Sequence, residues 1–571
     1  MNKRGPGILL TLLLTLLVLP SFAFQAEQET GGQDKDTTNV VAVVPTDWYL
    51  KDPETDSVQG VSAERVYATL LKGKPSRTVV VAVIDSGVDI EHEDLKDNLW
   101  INPGEVAGNG VDDDKNGYVD DVYGWNFIGG KDGNVESDTY EVTREYGRLK
   151  PKYENVEEKS VSKKNRAEYA YWKEVKDKYE RDSKFSKDQY DQYLQQYQMY
   201  SNAFLTIHYC DSLLQRTLGQ PVTKSSLSGI MAANDTIEFA KQTLTRILES
   251  VEGDVEVSVF LQELAGYIDQ LKGGVEHYET AVEYGYNTEF DSRKIVGDNP
   301  ADLTEKYYGN NDVEGPDARH GTHVAGIIAA NRKNDIGVKG IADNVKIMSV
   351  RAVPNGDERD KDIANAIRYA ADNGAQIINM SFGKSFSPHK DLVDKAVKYA
   401  ESKGVLLIHA AGNDSDDLDH ESNYPNKTFT SGGQAKTWLE IGASSWGADV
   451  DLVGSFSNYG KKSVDLFAPG VQIYSTTPND TYENLQGTSM AAPATTGVAA
   501  IIMSYFPEFN AEQVKNILRQ STRKFDGLQV VKPGTKEEVP FSQLSSSGGM
   551  VNAYEAVKLA MTMKDMDRKK K

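Results

Sequence analysis

Four polar residues, far apart in the chain, have the types that acyl transfer requires. They are Asp85 in VAVIDSGVD, His320 in RHGTHVAGIIAA, Asn413 in IHAAGND and Ser489 in LQGTSMAAPA. A serine hydroxyl is a poor nucleophile at neutral pH and needs a base within hydrogen-bond reach. Histidine titrates near neutrality, so it can take the hydroxyl proton and return it to a leaving amine. A buried aspartate holds the imidazole in one tautomer and stabilises its protonated form. The attacked carbonyl oxygen then carries negative charge, which the Asn413 side-chain amide and the Ser489 backbone N–H are suited to receive. Gly487, just before the serine, leaves room for substrate and backbone to approach closely.

These residues must be brought together by the elements that carry them. VVVAVID (79–85), VKIMSVRAV (345–353), AQIINMSF (375–382), VLLIHAAG (405–412) and the weaker LEIGASS (439–445) and SVDLFAPG (463–470) read as short buried strands. Helical stretches alternate with them. DIANAIRYAADNG (362–374) and LVDKAVKYAESKG (392–404) each end at a glycine suited to a C-terminal cap. SMAAPATTGVAAIIMSYF (489–506) predicts a central helix of small residues, with Pro493 near its first turn. The alternation predicts a layered α/β domain with a mainly parallel sheet. In such a sheet functional residues gather at the carboxyl ends of the strands. Asp85 ends a strand, Asn413 follows one, and His320 and Ser489 open helices, so all four are expected in one crevice.

Taken together, VAVIDSGVD, HGTHVAGIIAA, INMSFG, AAGN and GTSMAAP resemble the subtilases, the subtilisin-like serine proteases. The resemblance covers about 62–130 and 312–520. It implies a three-layer α/β/α fold and a serine endopeptidase that forms an acyl-enzyme on Ser489. His320 would be the general base and acid, Asp85 would orient it, and Asn413 with the Ser489 N–H would form the oxyanion hole. Ser381, Phe382 and Gly383 would pair with an extended polypeptide substrate. INMSFG and AAGN, the latter with Gly412, would flank the pocket for the residue before the scissile bond. VPNGD (353–357) would form another groove wall. His323 reads as a core residue. The alternative is a catalytically silent binding or scaffold protein that uses its Tyr-rich insertion for recognition. The unsubstituted catalytic positions favour the enzyme.

Calcium is the expected structural cofactor. In DDDKNGYVDD (112–121), Asp112, Asp114, Asn116, the Tyr118 carbonyl and Asp120 fit the first nine positions of a calcium loop, with Gly117 at its sharp turn. Tyr123 stands where the closing glutamate would fall, and Asp121 is the substitute. A solvated acidic turn is the other reading. From the resemblance, Asp94 matches a calcium carboxylate. NDIGV (334–338) matches a calcium loop, with Asn334 donating its side-chain oxygen and Ile336 and Val338 their carbonyls. Arg332 occupies the place of another backbone ligand.

The chain has 571 residues, 39% hydrophobic and 26% charged, enough for a sizeable core and more than one folding unit. Its formal net charge of −22 excludes the basic surface that nucleic acid calls for. A basic start, the apolar run 8–20 and the small-x-small stretch Ser21–Ala23 read as a signal peptide, so the protein is expected in the periplasm or outside the cell. No later run is long enough to span a membrane. The single cysteine, Cys210, excludes an intramolecular disulfide and reads as a buried thiol. The expected organisation is a signal peptide (1–23), a linker or short pro-segment (24–60), a first catalytic part (61–130), a helical insertion (131–310), a second catalytic part (311–564) and a basic tail (565–571). The insertion separates Asp85 from His320 by 235 positions. Its Tyr and Leu stripe reads as core packing, and it is a candidate surface for a protein partner.

Overall fold

The computed structural model describes residues 44–249, 251 and 253–570. The expected signal peptide and the first part of the 24–60 segment lie outside the described residues. The chain forms two compact units, one of residues 180–283 and the other of residues 44–179 and 284–570.

The larger unit is built on a nine-stranded sheet. Its strands are β1 (Val79–Asp85), β2 (Gly124–Asn126), β3 (Val345–Arg351), β4 (Ile377–Met380), β5 (Leu406–Ala410), β6 (Trp438–Ser444), β7 (Leu466–Pro469), β8 (Arg523–Lys524) and β9 (Gly549–Met550). The order is β8-β9-β7-β6-β5-β4-β1-β3-β2, and every neighbouring pair except β8–β9 is parallel. Both faces are covered, which is why the strands read as unbroken apolar runs. Side chains alternate between the two cores with the period of two that a strand imposes. Val79, Val81 and Val83 enter one core, and Ala82 and Ile84 the other.

Helices α1 (Arg319–Ala329) and α4 (Thr488–Tyr505) contribute to the first core, and α2 (Asp360–Asp372) and α3 (Lys390–Ser402) to the second. The small residues of α4 let it lie close to its neighbours: a Cβ on Gly497 would come within 2.5 Å of Ile341. This is the layered α/β arrangement with a mainly parallel sheet that the alternation of elements predicts, with helices on both faces. No helix among the described residues is long and apolar enough to cross a membrane.

Two boundaries differ from those expected. The 24–60 segment is not all linker, because Trp48, Tyr49 and Leu50 are at most 1% exposed and belong to the first core. Trp48 Nε1 donates to Gln472 O at 3.2 Å, and Tyr49 Oη donates to Lys339 O at 2.9 Å. Burying a side chain such as Leu50 contributes about 1.5–3 kcal/mol, and that outweighs the polar composition of the flanks. The larger unit therefore begins before residue 61.

The insertion also divides. Residues 180–283 form a helical unit around Tyr200, Cys210, Leu214, Leu244, Phe260 and Leu264, so the Tyr and Leu stripe is core packing and Cys210 is buried. The flanks, 131–179 and 284–310, belong to the larger unit. Val142, Tyr146, Leu149, Trp172 and Val175 cluster there with Phe386. The neck closes where Asn126 and Asn310 exchange backbone hydrogen bonds of 2.9 and 3.1 Å. Trp125 Nε1 adds a bond to Tyr308 O at 2.8 Å.

Candidate active site

Asp85 is the last residue of β1, and His320 lies in the first turn of α1. His320 Nδ1 and Asp85 Oδ1 are 2.7 Å apart. The Asp85 carboxylate is 2% exposed, and the same oxygen accepts from the Ser86 N–H at 2.8 Å. The imidazole is 38% exposed, so its Nε2 side can be approached. Withdrawal from water disfavours the imidazolium, but the charge of Asp85 and its hydrogen bond outweigh this, and the His320 pKa is raised above its ordinary value. His323, one turn on, is fully buried, with Nε2 3.0 Å from Ile473 O and 3.1 Å from Glu483 O. Burial pushes its pKa down to about 4, so it stays neutral.

Ser489 is the second residue of α4. Its Oγ donates to Ser381 O at 3.1 Å. It makes no hydrogen bond to His320. Catalytic hydrogen bonds commonly tighten only when substrate is present. Helix first turns leave backbone N–H groups without intrahelical partners, and the Ser489 N–H is one of these. Asn413 Oδ1 accepts from Thr488 N at 2.9 Å and from Thr488 Oγ1 at 3.0 Å. Anchoring the oxygen leaves the amide NH2 free to donate toward the crevice. Gly487 sits between, at φ 153°, and a Cβ there would lie 3.3 Å from Asn413 Nδ2. The local chain needs glycine both for that φ and for the open space.

The expected substrate residues lie beside this centre. Ser381, 4% exposed, donates from Oγ to Ser489 O at 2.9 Å. Phe382 is half-buried against His409, with ring centroids 6.2 Å apart, and Gly383 is exposed. Gly412 N donates to Thr488 Oγ1 at 3.0 Å. Segments 381–383 and 410–413 continue the neighbouring strands β4 and β5 and leave a slot between them. Asn423 occupies that slot. A Cβ on Gly383 would fall 2.3 Å from Asn423 Oδ1, and one on Gly412 would fall 3.2 Å from its Nδ2. The amide is pinned by bonds to Ala410 O at 3.3 Å and Ala411 O at 3.0 Å. Asn423 lies in a loop with no periodicity, and only its place ten residues after Asn413 connects it to the site in sequence.

The acidic loop folds differently from a simple alternating ligand set. Asp112 caps its own turn through Asn116 N and Gly117 N at 3.1 and 2.9 Å, and Asp120 caps Asn109 N and Gly110 N at 3.2 and 2.8 Å. Asn116 Oδ1 accepts from Tyr118 N, and the Tyr118 ring is buried in the second core. The carboxylates that converge, with oxygens within 4.8 Å of one another, are those of Glu105, Asp114 and Asp121. Burial raises the Asp121 pKa to about 6, against hydrogen bonds from Tyr369, Asn116 and Asn102. Three acids held this close suit a hard divalent cation. Glu105, seven residues before Asp112, was outside the loop pattern.

At Asp94 both carboxylate oxygens accept hydrogen bonds from the 331–338 loop. Asp94 Oδ1 accepts from Asn331 N and Asn334 Nδ2 at 3.1 and 2.8 Å, and Oδ2 accepts from Val338 N at 2.9 Å. Asn334 and Val338 thus present N–H donors to the carboxylate. Ile336 contributes a backbone N–H to Asn334 Oδ1 at 3.4 Å. Arg332 supplies a cation nearby, bonded to Gly340 O and Glu64 at 2.6 Å each and lying over the Tyr67 ring.

Residues 76–540 match the subtilase family. The chain is 37% identical over 281 residues to a thermophilic serine proteinase of Bacillus sp. (strain AK1), covering 49% of this chain and 60% of that protein. It is 34% identical over 269 residues to thermitase of Thermoactinomyces vulgaris, covering 46% and 85%. It is 37% identical over 229 residues to subtilisin DY of Bacillus licheniformis, covering 39% and 76%.

The Asp85–His320 contact makes a direct prediction. The imidazole of His320 should titrate above its ordinary 6.5, and Asp85→Asn should lower that pKa, as read by NMR of the ring protons. A folded-state pKa raised in this way adds stability that is complete below the ordinary value and is lost as pH rises through the raised one. An unmoved titration in Asp85→Asn would mean that the carboxylate does not act on the imidazole.

Proposed function

The chain belongs to the subtilase family, and from that premise we propose that it is an exported serine endopeptidase, periplasmic or extracellular, acting on polypeptides. Ser489 attacks the scissile carbonyl while His320 takes its proton. The tetrahedral oxyanion is received by the Ser489 N–H and the Asn413 side-chain amide. The acyl-enzyme forms as His320 returns the proton to the leaving amine, and water then repeats the sequence. The observation that carries this reading is the 2.7 Å contact between a buried Asp85 and His320, placed beside a serine at a helix start. Losing the orienting carboxylate of such a triad costs on the order of 10⁴-fold in kcat.

The filled slot at Asn423 supports a preference for small side chains before the scissile bond. Glu105, Asp114 and Asp121 are the residues that would hold calcium, which would neutralise their mutual repulsion and tie the loop 105–121 together. Export rests on the apolar run 8–20.

Three measurements check these proposals. A fluorophosphonate probe should label the protein in the exported fraction, and Ser489→Ala should abolish both labelling and peptide hydrolysis. Labelling that survives the substitution would favour the silent scaffold instead. In kcat/KM for peptides ending in Ala or Phe before the scissile bond, the wild type should prefer Ala by tenfold or more. Asn423→Gly should narrow that ratio, and an unchanged ratio would remove Asn423 from the pocket. Calcium at a hundred times its Kd should stabilise the fold by about 2.7 kcal/mol, seen as a higher Tm, and Asp121→Asn should cancel the shift. A Tm indifferent to calcium and chelator would reject the site.

A further inference from the structure

Strand β1 stops at Asp85, but its two neighbours in the sheet run on. From β3 the chain continues as 352–358, and from β4 as 381–384. Between these two rails lies a lane in line with β1, about two strand spacings wide, roughly 9.6 Å. An extended peptide fits this width and can pair with 381–383, where Gly383 is exposed. The lane starts beside Ser489, whose hydroxyl bonds the Ser381 carbonyl.

The flank of the insertion packs against one rail of this lane. Segment 136–138 adds to the outer edge of the β3 rail: Asn355 N donates to Glu136 O at 2.8 Å, and Asp138 N donates to Asn355 O at 3.0 Å. The backbone of Asp138 lies so close to Gly356 that a Cβ on that glycine would fall 2.2 Å from Asp138 O. Arg144 donates to the Asp357 and Glu358 carbonyls, each at 3.2 Å, and pairs with Glu141 at 2.8 Å. Lys384, from the opposite rail, reaches across. Its Nζ meets Glu358 O at 2.7 Å, Glu141 Oε2 at 2.7 Å and Asp360 Oδ1 at 2.9 Å. Lys384, Glu141, Glu358 and Asp360 are all at most 5% exposed. One lysine therefore ties both rails and the insertion together in a site closed to water.

We infer that this cross-tie ends the lane on the acyl side, so that the enzyme reads about three residues before the scissile bond. From Ser381 to Lys384 is three residues, roughly 10 Å at ~3.3 Å per residue in an extended chain. A peptide of three residues before the bond fills the lane. A longer one must leave it at the tie and gains no further pairing. The inference rests on the protease reading, since it assumes that substrate enters beside Ser489.

The test is a series of fluorogenic peptides with one to six residues before the scissile bond, alike in the residue next to it. In the wild type, kcat/KM should climb steeply to the third residue and change less than twofold from the fourth to the sixth. A rise of tenfold or more between the third and fifth would overturn the inference. Glu141→Ala removes the carboxylate from the insertion and should make the pentapeptide gain over the tripeptide by fivefold or more. A folded variant with the wild-type length profile would also overturn it. Should that variant fail to fold, the wild-type series decides alone. A protein that is not labelled by fluorophosphonate and cleaves no member of the series would sink the protease reading itself. One that is labelled and cleaves, but keeps gaining with length, sinks only the closed lane.

Discussion

A single hydrogen bond, 2.7 Å between Asp85 and His320, dictates where the 234 residues of intervening chain can go. Asp85 is fixed by the sheet and His320 by the helix that packs on it, so the chain between them must leave and return within the thickness of one layer. The cost of doing so rises slowly with length, about 0.6 kcal/mol for each doubling of a flexible loop. A large insertion is therefore tolerable if its neck is held. The paired backbones of Asn126 and Asn310 and the Trp125 bond to Tyr308 hold it. The 180–283 unit brings its own apolar core.

The flanks of the insertion are fastened in another way. Arg293, 4% exposed, pairs with Asp298 and Asp362 at 2.6 and 2.7 Å. Lys361 pairs with Asp298 and Glu305 at 2.8 and 2.6 Å. Arg359 pairs with Asp138 at 2.8 Å. Burying a charge costs several kcal/mol, and the pair recovers this only when every partner is in place; removing one partner costs about 3–5 kcal/mol. Such contacts add little net stability compared with apolar packing, but they tolerate few alternative arrangements. Here they run along the start of α2 and the rail that leads to it. The same kind of contact that seats the insertion also shapes the wall of the groove.

Much of the fold was legible in the residues. A strand buried on both faces must be apolar throughout, and VVVAVID, AQIINMSF and VLLIHAAG each became one, the first over its full length and the other two a residue or more shorter at each end. The weaker runs at 439–445 and 463–470 also formed strands. Gly124–Asn126 and the hairpin 473–485 had no such signature. The first is three residues long, and the second carries mixed polarity because only part of it is covered. Trp48–Leu50 was hidden inside a polar stretch, where three buried side chains are too few to set a period.

The sequence by itself determined which chemistry is present. A serine, a histidine, an aspartate and an asparagine with their small and glycine neighbours form local motifs, and local motifs survive in a linear reading because the backbone demands are met within a few residues. The tertiary structure alone decided which polar groups face one another across the chain. Glu105 joins Asp114 and Asp121, Asn423 fills the slot beside Gly383 and Gly412, and Lys384 reaches Glu141 from 243 positions away. Each is a single polar residue in a loop, with no periodicity to mark it. Its partner is set by where strands of the sheet end, and the linear order of residues does not record which strand ends lie side by side.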